Sequence, residues 1–138
     1  MRAVRIAFGT DEATPLTEAI TRELEERGHD VVVAGDGESW PDVGRAVGEL
    51  VAGGTADRGI VCCWTGTGVS IAANKVRGVR AALCTDAETA RGARRWNDAN
   101  VLALSLRLTS AEVAKELLDA FLSTDVDPAE RSEIAKLQ

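Results

Sequence analysis

Short apolar segments alternate with helical segments along almost the whole chain, and this alternation constrains the fold more than any other sequence feature. Five apolar segments have the length of β-strands, at positions 4–8, 31–34, 60–64, 79–84 and 101–104. Helices are predicted from about 15 to 28, then at 42–52, 69–75, 88–95, from 109 onward and at 128–137. Parallel strands joined by helices need right-handed crossovers. The sequence therefore predicts an α/β fold, a three-layer Rossmann-like sandwich with a five-stranded parallel sheet, formed by residues 1–138 as a single domain.

Local signals place several of these boundaries. Thr14 is a predicted N-cap residue, and Pro15 suits the first turn of the helix that follows it. Gly28 is predicted to end the same helix. The segment 60–64 is continuously apolar, which is typical of a strand that is buried on both faces.

The charge balance and the scarce residues exclude several classes of function. The chain has 138 residues, with 16 Lys and Arg against 22 Asp and Glu, and its net charge of −6 argues against a nucleic-acid binder. No apolar run approaches the roughly 18–20 residues of a membrane span, and the first residues lack the features of a signal peptide. We therefore expect a cytoplasmic protein without a membrane partner. The cysteines, at 62, 63 and 84, form neither a disulfide framework nor a zinc-ligand spacing.

Three predicted strand ends carry polar or glycine-rich sequence, at 9–12, 63–68 and 84–86. Ligands of open parallel sheets bind beyond the carboxyl ends of the strands, so these segments are the candidate site. The most distinctive is Thr-Gly-Thr-Gly at 65–68, where glycines admit a ligand close to the backbone and the N–H groups that begin a helix form an anion site. A helix N-terminus also stabilises a nearby thiolate. Cys63 is therefore a candidate base for proton abstraction next to a carbonyl group.

Other interpretations of these residues stay open at this point. In the simplest one, Cys63 is a core residue and the glycines only turn the chain. A dinucleotide site is a second alternative, because Gly-Thr-Gly at 66–68 begins a G-x-G-x-x-G pattern, but Ile71 stands at the last glycine position. His29 is the single histidine and lies in a predicted helix-to-strand turn, so we expect it to be structural or solvent-facing.

Three blocks of sequence, together with Gly-Thr-Asp at 9–11, carry a resemblance to a known family. The central block spans 56–84 and contains C-x-T-G-x-G-x-S-I-A-A-N-K from Cys63 onward. The second block, N-D-A-N-V-L-A-L, begins at Asn97, and the third, F-L-S-T, begins at Phe121. Over nearly its whole length the chain resembles the ribose-5-phosphate isomerase B and galactose-6-phosphate isomerase family.

This resemblance implies aldose–ketose isomerisation of a sugar or sugar phosphate through a cis-enediolate, without a metal or organic cofactor. It also implies homodimers whose active sites lie between the subunits. In that scheme Cys63 is the base that moves a proton between C1 and C2, and Thr65 assists ring opening or holds a substrate oxygen. The resemblance also implies that the N–H groups of Gly66, Thr67 and Gly68 stabilise the enediolate. Asp11 and Asn97 are expected to hold the sugar hydroxyls.

Four departures from the family pattern accompany these matches. Glu12 and Trp96 stand where the family has histidine, and Trp64 stands where it has glycine. Arg131 is what remains of a C-terminal Arg-His-x-x-Arg clamp for phosphate. Indole faces stack on the C–H faces of sugars, and a lost arginine weakens phosphate binding. We therefore expect a substrate shifted from ribose 5-phosphate, such as a modified, less charged or unphosphorylated sugar or a related hydroxycarbonyl compound. These two tryptophans and Arg131 are expected to contact it, and Glu12 is the candidate acid or base for ring opening.

Two alternatives accompany this hypothesis. The chain is a catalytically silent ligand-binding homologue if Trp64 fills the pocket, or it isomerises ribose 5-phosphate despite the substitutions. Trp40 aligns with an aromatic residue that precedes a helix in the family, and it is predicted to pack rather than to bind substrate.

Overall fold

A five-stranded parallel sheet forms the centre of the computed structural model, which describes residues 2–137. The strand order is β2-β1-β3-β5-β4. The strands are β1 (Arg5–Thr10), β2 (Asp30–Asp36), β3 (Arg58–Cys63), β4 (Ala81–Leu83) and β5 (Val101–Ser105). The helices are α1 (Pro15–Glu26), α2 (Trp40–Ala52), α3 (Thr67–Asn74), α4 (Ala87–Asn97), α5 (Ala111–Ser123) and α6 (Arg131–Ile134), the last lying between short 3-10 turns at Pro128–Glu130 and Ala135–Leu137. This architecture confirms the predicted sandwich.

Helices cover both faces of the sheet because successive side chains of a strand point to opposite sides. The helices α1, α4 and α5 bury one face, in a cluster that includes Leu102. The helices α2 and α3 bury the other face, where Val47 is fully enclosed. The neighbours Cys62 and Cys63 therefore belong to opposite faces, Cys62 to the first cluster and Cys63 to the second.

Several boundaries differ from the sequence-based expectation. The strand β4 is shorter than the predicted 79–84, because the chain still turns where the Val79 N–H donates to the carbonyl of residue 76. The helix α3 begins at Thr67 rather than at 69, directly after Gly66 in a left-handed conformation. Trp64 lies outside β3. The helix α4 continues through residue 97 and ends at Asp98, whose φ of 49° is also left-handed.

The boundaries of α1 follow the predicted signals. The Thr14 hydroxyl accepts the Thr17 N–H at 3.2 Å while the Thr17 hydroxyl accepts the Thr14 N–H at 2.8 Å, a reciprocal cap. Gly28, with φ of 88°, follows the end of the helix. His29 is buried, and its Nδ1 accepts the Val4 N–H at 3.1 Å. Burial lowers the pKa of His29. The burial of the side chain and its hydrogen bond with Val4 confirm that the residue is structural rather than solvent-facing.

The strand order places β1 and β3 side by side in the sheet. The helix that follows β1 packs on one face and the helix that follows β3 packs on the other. Two neighbouring parallel strands whose helices diverge in this way leave a crevice at their carboxyl ends, the usual ligand position in open α/β sheets.

Candidate active site

The crevice between β1 and β3 brings two predicted site residues together. Asp11 follows the last residue of β1, and Cys63 is the last residue of β3. The Asp11 N–H donates to the Cys62 carbonyl at 3.3 Å, so the chain leaves β1 in contact with the end of β3. Both residues therefore lie at the carboxyl edge of the sheet.

The three cysteines differ in accessibility. Cys62 and Cys84 have no exposed surface, whereas Cys63 keeps 5% of its surface exposed. Burial raises the pKa of the Cys62 thiol, and it raises the pKa of Cys84 to about 11, so both remain thiols near neutral pH. Cys63 packs in the core cluster beneath α2 and α3, but it is not sealed from solvent.

The loop after Cys63 has the geometry of an anion site. Gly66 has φ of 78° and ψ of −12°, a left-handed conformation that starts α3. The N–H groups of Thr67 and Gly68 lie in the first turn, where no intrahelical acceptor exists. The hydroxyls of Thr65 and Thr67 are 2.7 Å apart and form a hydrogen bond within the loop.

Gly66 combines a left-handed backbone with a site where a side chain does not fit. A Cβ at this position would lie 2.5 Å from Leu83 Cδ1 and 2.9 Å from the carbonyl carbon of Leu104. The left-handed backbone and these contacts both demand glycine. Gly66 is thus where the loop passes directly over the end of β5 and the edge strand β4.

Two indole rings stand at the same edge. Trp64 is 59% exposed, so its ring does not fill a buried pocket beside Cys63. Trp40 begins α2 and packs against Gly68, where a Cβ would lie 2.8 Å from the ring. Trp40 remains half-exposed, so it combines the predicted packing role with a surface that faces solvent beside the loop.

The two acidic residues after β1 differ in environment. Asp11 Oδ1 is buried and has no hydrogen-bond partner within residues 2–137. Burial, with a smaller contribution from the charge of Glu12, raises the pKa of Asp11. The Glu12 side chain is exposed, and Thr10 Oγ1 donates to its backbone carbonyl at 2.7 Å. Asp11 is therefore better placed than Glu12 to exchange a proton with a ligand.

The turn after β5 supplies residues that the sequence analysis missed. The Leu106 N–H donates to the Cys63 carbonyl at 3.0 Å, and the Arg107 N–H donates to the Trp64 carbonyl at 2.9 Å. Arg107 is exposed and forms no ion pair in the part of the chain that the structure describes. Arg107 lies just beyond the end of a predicted strand, and this position was the sequence signal that could have identified it as a site residue.

Three predicted substrate-binding residues lie elsewhere in the chain. Trp96 and Asn97 end α4 and precede β5, so they are at the amino edge of the sheet. Arg131 begins α6, in a segment tied to the end of α4 by the Asp127 N–H, which donates to the carbonyl of residue 95 at 2.8 Å. The structure of one chain does not bring these residues together with Cys63.

The carboxyl edge of the sheet thus combines four chemical groups. It holds a partly accessible thiol, the free N–H groups of a helix start, a carboxyl group whose pKa is raised, and an exposed guanidinium. A base, oxyanion donors, a proton-exchanging acid and a cation suit proton transfer next to a carbonyl group in a substrate that carries negative charge.

Comparison with known proteins agrees with this arrangement. The family model described as Ribose/Galactose Isomerase matches residues 6–137. The chain is 41% identical to ribose-5-phosphate isomerase B of Escherichia coli over 89% of this chain and 86% of the relative. It is 39% identical to the galactose-6-phosphate isomerase subunit LacB of Clostridium acetobutylicum, over 95% of this chain and 79% of that protein. A D-erythrulose-4-phosphate isomerase of Pectobacterium atrosepticum is 38% identical over 88% of this chain and 84% of its own length.

Solved structures show the same similarity in three dimensions. A ribose 5-phosphate isomerase from Thermotoga maritima matches with a TM-score of 0.92 and 39% identity, over 99% of this chain and 98% of that one. Ribose-5-phosphate isomerase B of Clostridium thermocellum matches with a TM-score of 0.91 at 39% identity, over 96% and 94%. The chain belongs to the ribose/galactose isomerase family, whose fold and class of activity the sequence predicted.

Proposed function

We propose that this chain isomerises a sugar phosphate between its aldose and ketose forms, with Cys63 as the base. The observation that carries the proposal is the position of Cys63. It is the one cysteine with exposed surface, it ends β3 at the crevice beside β1, and the helix-start loop with its free N–H groups follows it. The isomerase activity of the family is consistent with Cys63 as the base.

The proposed reaction moves one proton between two carbon atoms. The Cys63 thiolate removes the proton from C2 of the open-chain aldose, and the electron pair moves to the carbonyl oxygen at C1. The N–H groups of Thr67 and Gly68 stabilise the negative oxygen of this cis-enediolate. The thiol then returns the proton to C1 as a proton leaves the hydroxyl at C2, which produces the ketose. Asp11 carries the proton between the two oxygens, and the steps use no metal or organic cofactor.

The residues around the loop favour a phosphorylated substrate other than ribose 5-phosphate. Trp40 and Trp64 present indole surface beside the loop, which suits the C–H face of a sugar. Arg107 supplies an exposed cation at the same edge, so a phosphate group has a partner although Arg131 lies away from Cys63 in the same chain. These observations support a sugar phosphate of altered length or shape.

Proton exchange in deuterated water tests the proposal directly. The panel contains ribose 5-phosphate, galactose 6-phosphate, erythrulose 4-phosphate and the unphosphorylated sugars. We expect C1/C2 deuterium incorporation with a phosphorylated sugar other than ribose 5-phosphate, measured by NMR. Fastest exchange with ribose 5-phosphate would contradict the substrate shift. The absence of exchange with every panel member that binds would identify a silent homologue.

The proposal includes a homodimer whose active site uses residues of both chains. The strand β5 is about 13 Å long at roughly 3.3 Å per residue, and Cys63 pairs with its last residue while Asn97 precedes its first. Asn97 and Cys63 therefore lie at opposite edges of the sheet, and the proposal is that the sugar contacts Cys63 of one chain and Asn97 of its partner. Two-fold pairing along the edge strand β4 sets the carboxyl edge of one chain beside the amino edge of its partner.

Exposed apolar side chains lie on both sides of that edge. Ile71 on α3 and Trp96 on α4 are exposed, and Leu83 on β4 is half-buried. Trp96, Asn97 and Leu83 line one groove along the strand. Burial of this surface in a dimer also supplies a neighbouring site for Trp96 and Asn97.

Mixed dimers test the shared site. Cys63→Ala and Asn97→Ala chains are each expected to be nearly inactive, but their co-expression should restore about a quarter of the wild-type activity per chain, since half of the random dimers carry one intact site. Deuterium exchange on purified mixtures measures this recovery. A mixture no more active than its parents, or a monomer in sedimentation at micromolar concentration, would refute the shared site.

No helix within residues 2–137 has both the length and the apolar character needed to cross a bilayer. The cytoplasmic location and the absence of nucleic-acid and membrane partners stay predictions from the sequence.

A further inference from the structure

A buried hydroxyl joins the two loops at the carboxyl edge. Ser105 is the last residue of β5 and is 1% exposed. Its Oγ accepts the Leu108 N–H at 3.2 Å and donates to the Trp64 carbonyl at 3.1 Å. Because a backbone N–H is always the donor, the single hydroxyl proton is free for the Trp64 carbonyl.

The segments on either side of this hydroxyl carry the groups of the proposed site. On one side, Trp64 lies between Cys63 and the helix-start loop. On the other side, the turn 105–109 is closed by the Thr109 N–H, which donates to the Ser105 carbonyl at 3.1 Å, and it carries Arg107. The Arg107 N–H shares the Trp64 carbonyl with the serine hydroxyl.

We infer that Ser105 is a positioning residue that holds the Arg107 turn and the Cys63 loop in a fixed relative placement. It acts on the reaction through these two segments and does not contact substrate. The inference rests on the proposed function for its effect on turnover, but its effect on Cys63 is independent of any substrate.

The hydroxyl is not required to satisfy its neighbours. Without it, the Trp64 carbonyl keeps the Arg107 N–H, and because Leu108 is an exposed residue we expect water to replace the hydroxyl at its N–H. Ser105→Ala therefore keeps the fold and the two backbone hydrogen bonds between the segments, from Leu106 to Cys63 and from Arg107 to Trp64, and it loses only the side-chain bond that fixes their relative placement.

Ser110 offers a matched control. Its Oγ also accepts an N–H three residues later, from Val113 at 3.2 Å, but it caps α5 and makes no bond to the Cys63 loop. Ser105→Ala and Ser110→Ala therefore lose the same kind of cap, and only the first loses the bond to Trp64. Ser105→Thr retains the hydroxyl.

The test uses iodoacetamide labelling of Cys63, followed by mass spectrometry, with and without inorganic phosphate. We expect Ser105→Ala to change the labelling rate at least about threefold and to weaken phosphate protection, while Ser110→Ala and Ser105→Thr match the wild type. In the deuterium-exchange assay with the panel of sugars, kcat/KM of Ser105→Ala should fall about tenfold. We expect both a lower kcat and a higher KM, because both loops contact the substrate in the proposed site.

Equal labelling and protection in Ser105→Ala and Ser110→Ala would overturn the inference. Altered labelling in a protein that exchanges no panel sugar would uphold the positioning role and refute the proposed function. If Ser105→Ala does not fold, Ser105→Gly serves as the variant without the hydroxyl and is compared with Ser105→Thr.

Discussion

Replacement of Cys63 by alanine is expected to lower deuterium exchange at C1 and C2 of the substrate by about 100- to 10,000-fold, the usual contribution of a positioned general base. The side chain is the one thiol with exposed surface, and it stands beside the free N–H groups that start α3. Without the sulfur, no other group on β3 can accept the carbon-bound proton. Exchange rates at saturating sugar phosphate, measured by NMR, give the loss in kcat.

The neighbouring cysteine provides the control for this prediction. Cys62→Ala makes the same chemical change one residue earlier, on the opposite face of the sheet, where the thiol is fully buried. We expect this variant to lose about 1 kcal/mol of stability through the small cavity and to keep its activity. Exchange that persists in Cys63→Ala at the wild-type rate would assign the base to another group.

Replacement of Gly66 by alanine should destabilise the fold by about 3 kcal/mol or more, the largest stability loss that we expect from a single methyl group. A left-handed conformation costs roughly 1–2 kcal/mol for a residue with a Cβ, and an overpacked contact adds about 1–3 kcal/mol. Both apply here, since φ is 78° and the Cβ would lie 2.5 Å from Leu83 and 2.9 Å from the Leu104 carbonyl carbon. Urea unfolding at 25 °C measures the change in unfolding free energy.

Gly54 separates the two contributions to this loss. It has nearly the same backbone conformation, with φ of 80°, but a Cβ there would meet nothing within 4 Å. Gly54→Ala should therefore cost only about 1 kcal/mol, from the backbone alone. The steric argument fails if the two variants unfold at the same urea concentration.

The meeting of Asp11 and Cys63 was predictable from the sequence alone. Each residue stands at or just after the end of an apolar strand, and the carboxyl ends of parallel strands share one edge. The reciprocal cap at Thr14 was predictable in part because Thr14 and the residue that it pairs with, Thr17, are close in sequence. Local chemistry was sufficient wherever the partners were close in sequence.

The contribution of Arg107 and Ser105 was not predictable in this way. Their contacts with Trp64 exist because β5 lies beside β3, between β3 and β4. With β4 beside β3 instead, the same turn would be about 5 Å farther away, the spacing of one strand. The alternation of segments is compatible with either order, so the sequence pattern carried no information on this contact.

The position of Trp96 and Asn97 depends on the length of α4. The helix has 11 residues, and at 1.5 Å per residue it extends about 16 Å, enough to return the chain to the amino edge of the sheet. Both residues precede the fifth predicted strand, so the sequence places them at the edge opposite Cys63 unless the helix before them is short, and α4 is not short. This position supports the proposal that a second chain brings them to Cys63.

The amino-acid sequence by itself determined the strands and helices, the loop that starts at Cys63 and the family, because each depends on periodicity or on neighbours along the chain. The tertiary structure decided which strands adjoin and which cysteine retains access to solvent. These properties arise from packing between segments that are far apart in sequence, and a glycine such as Gly66 acquires its steric role only when Leu83 and Leu104 surround it.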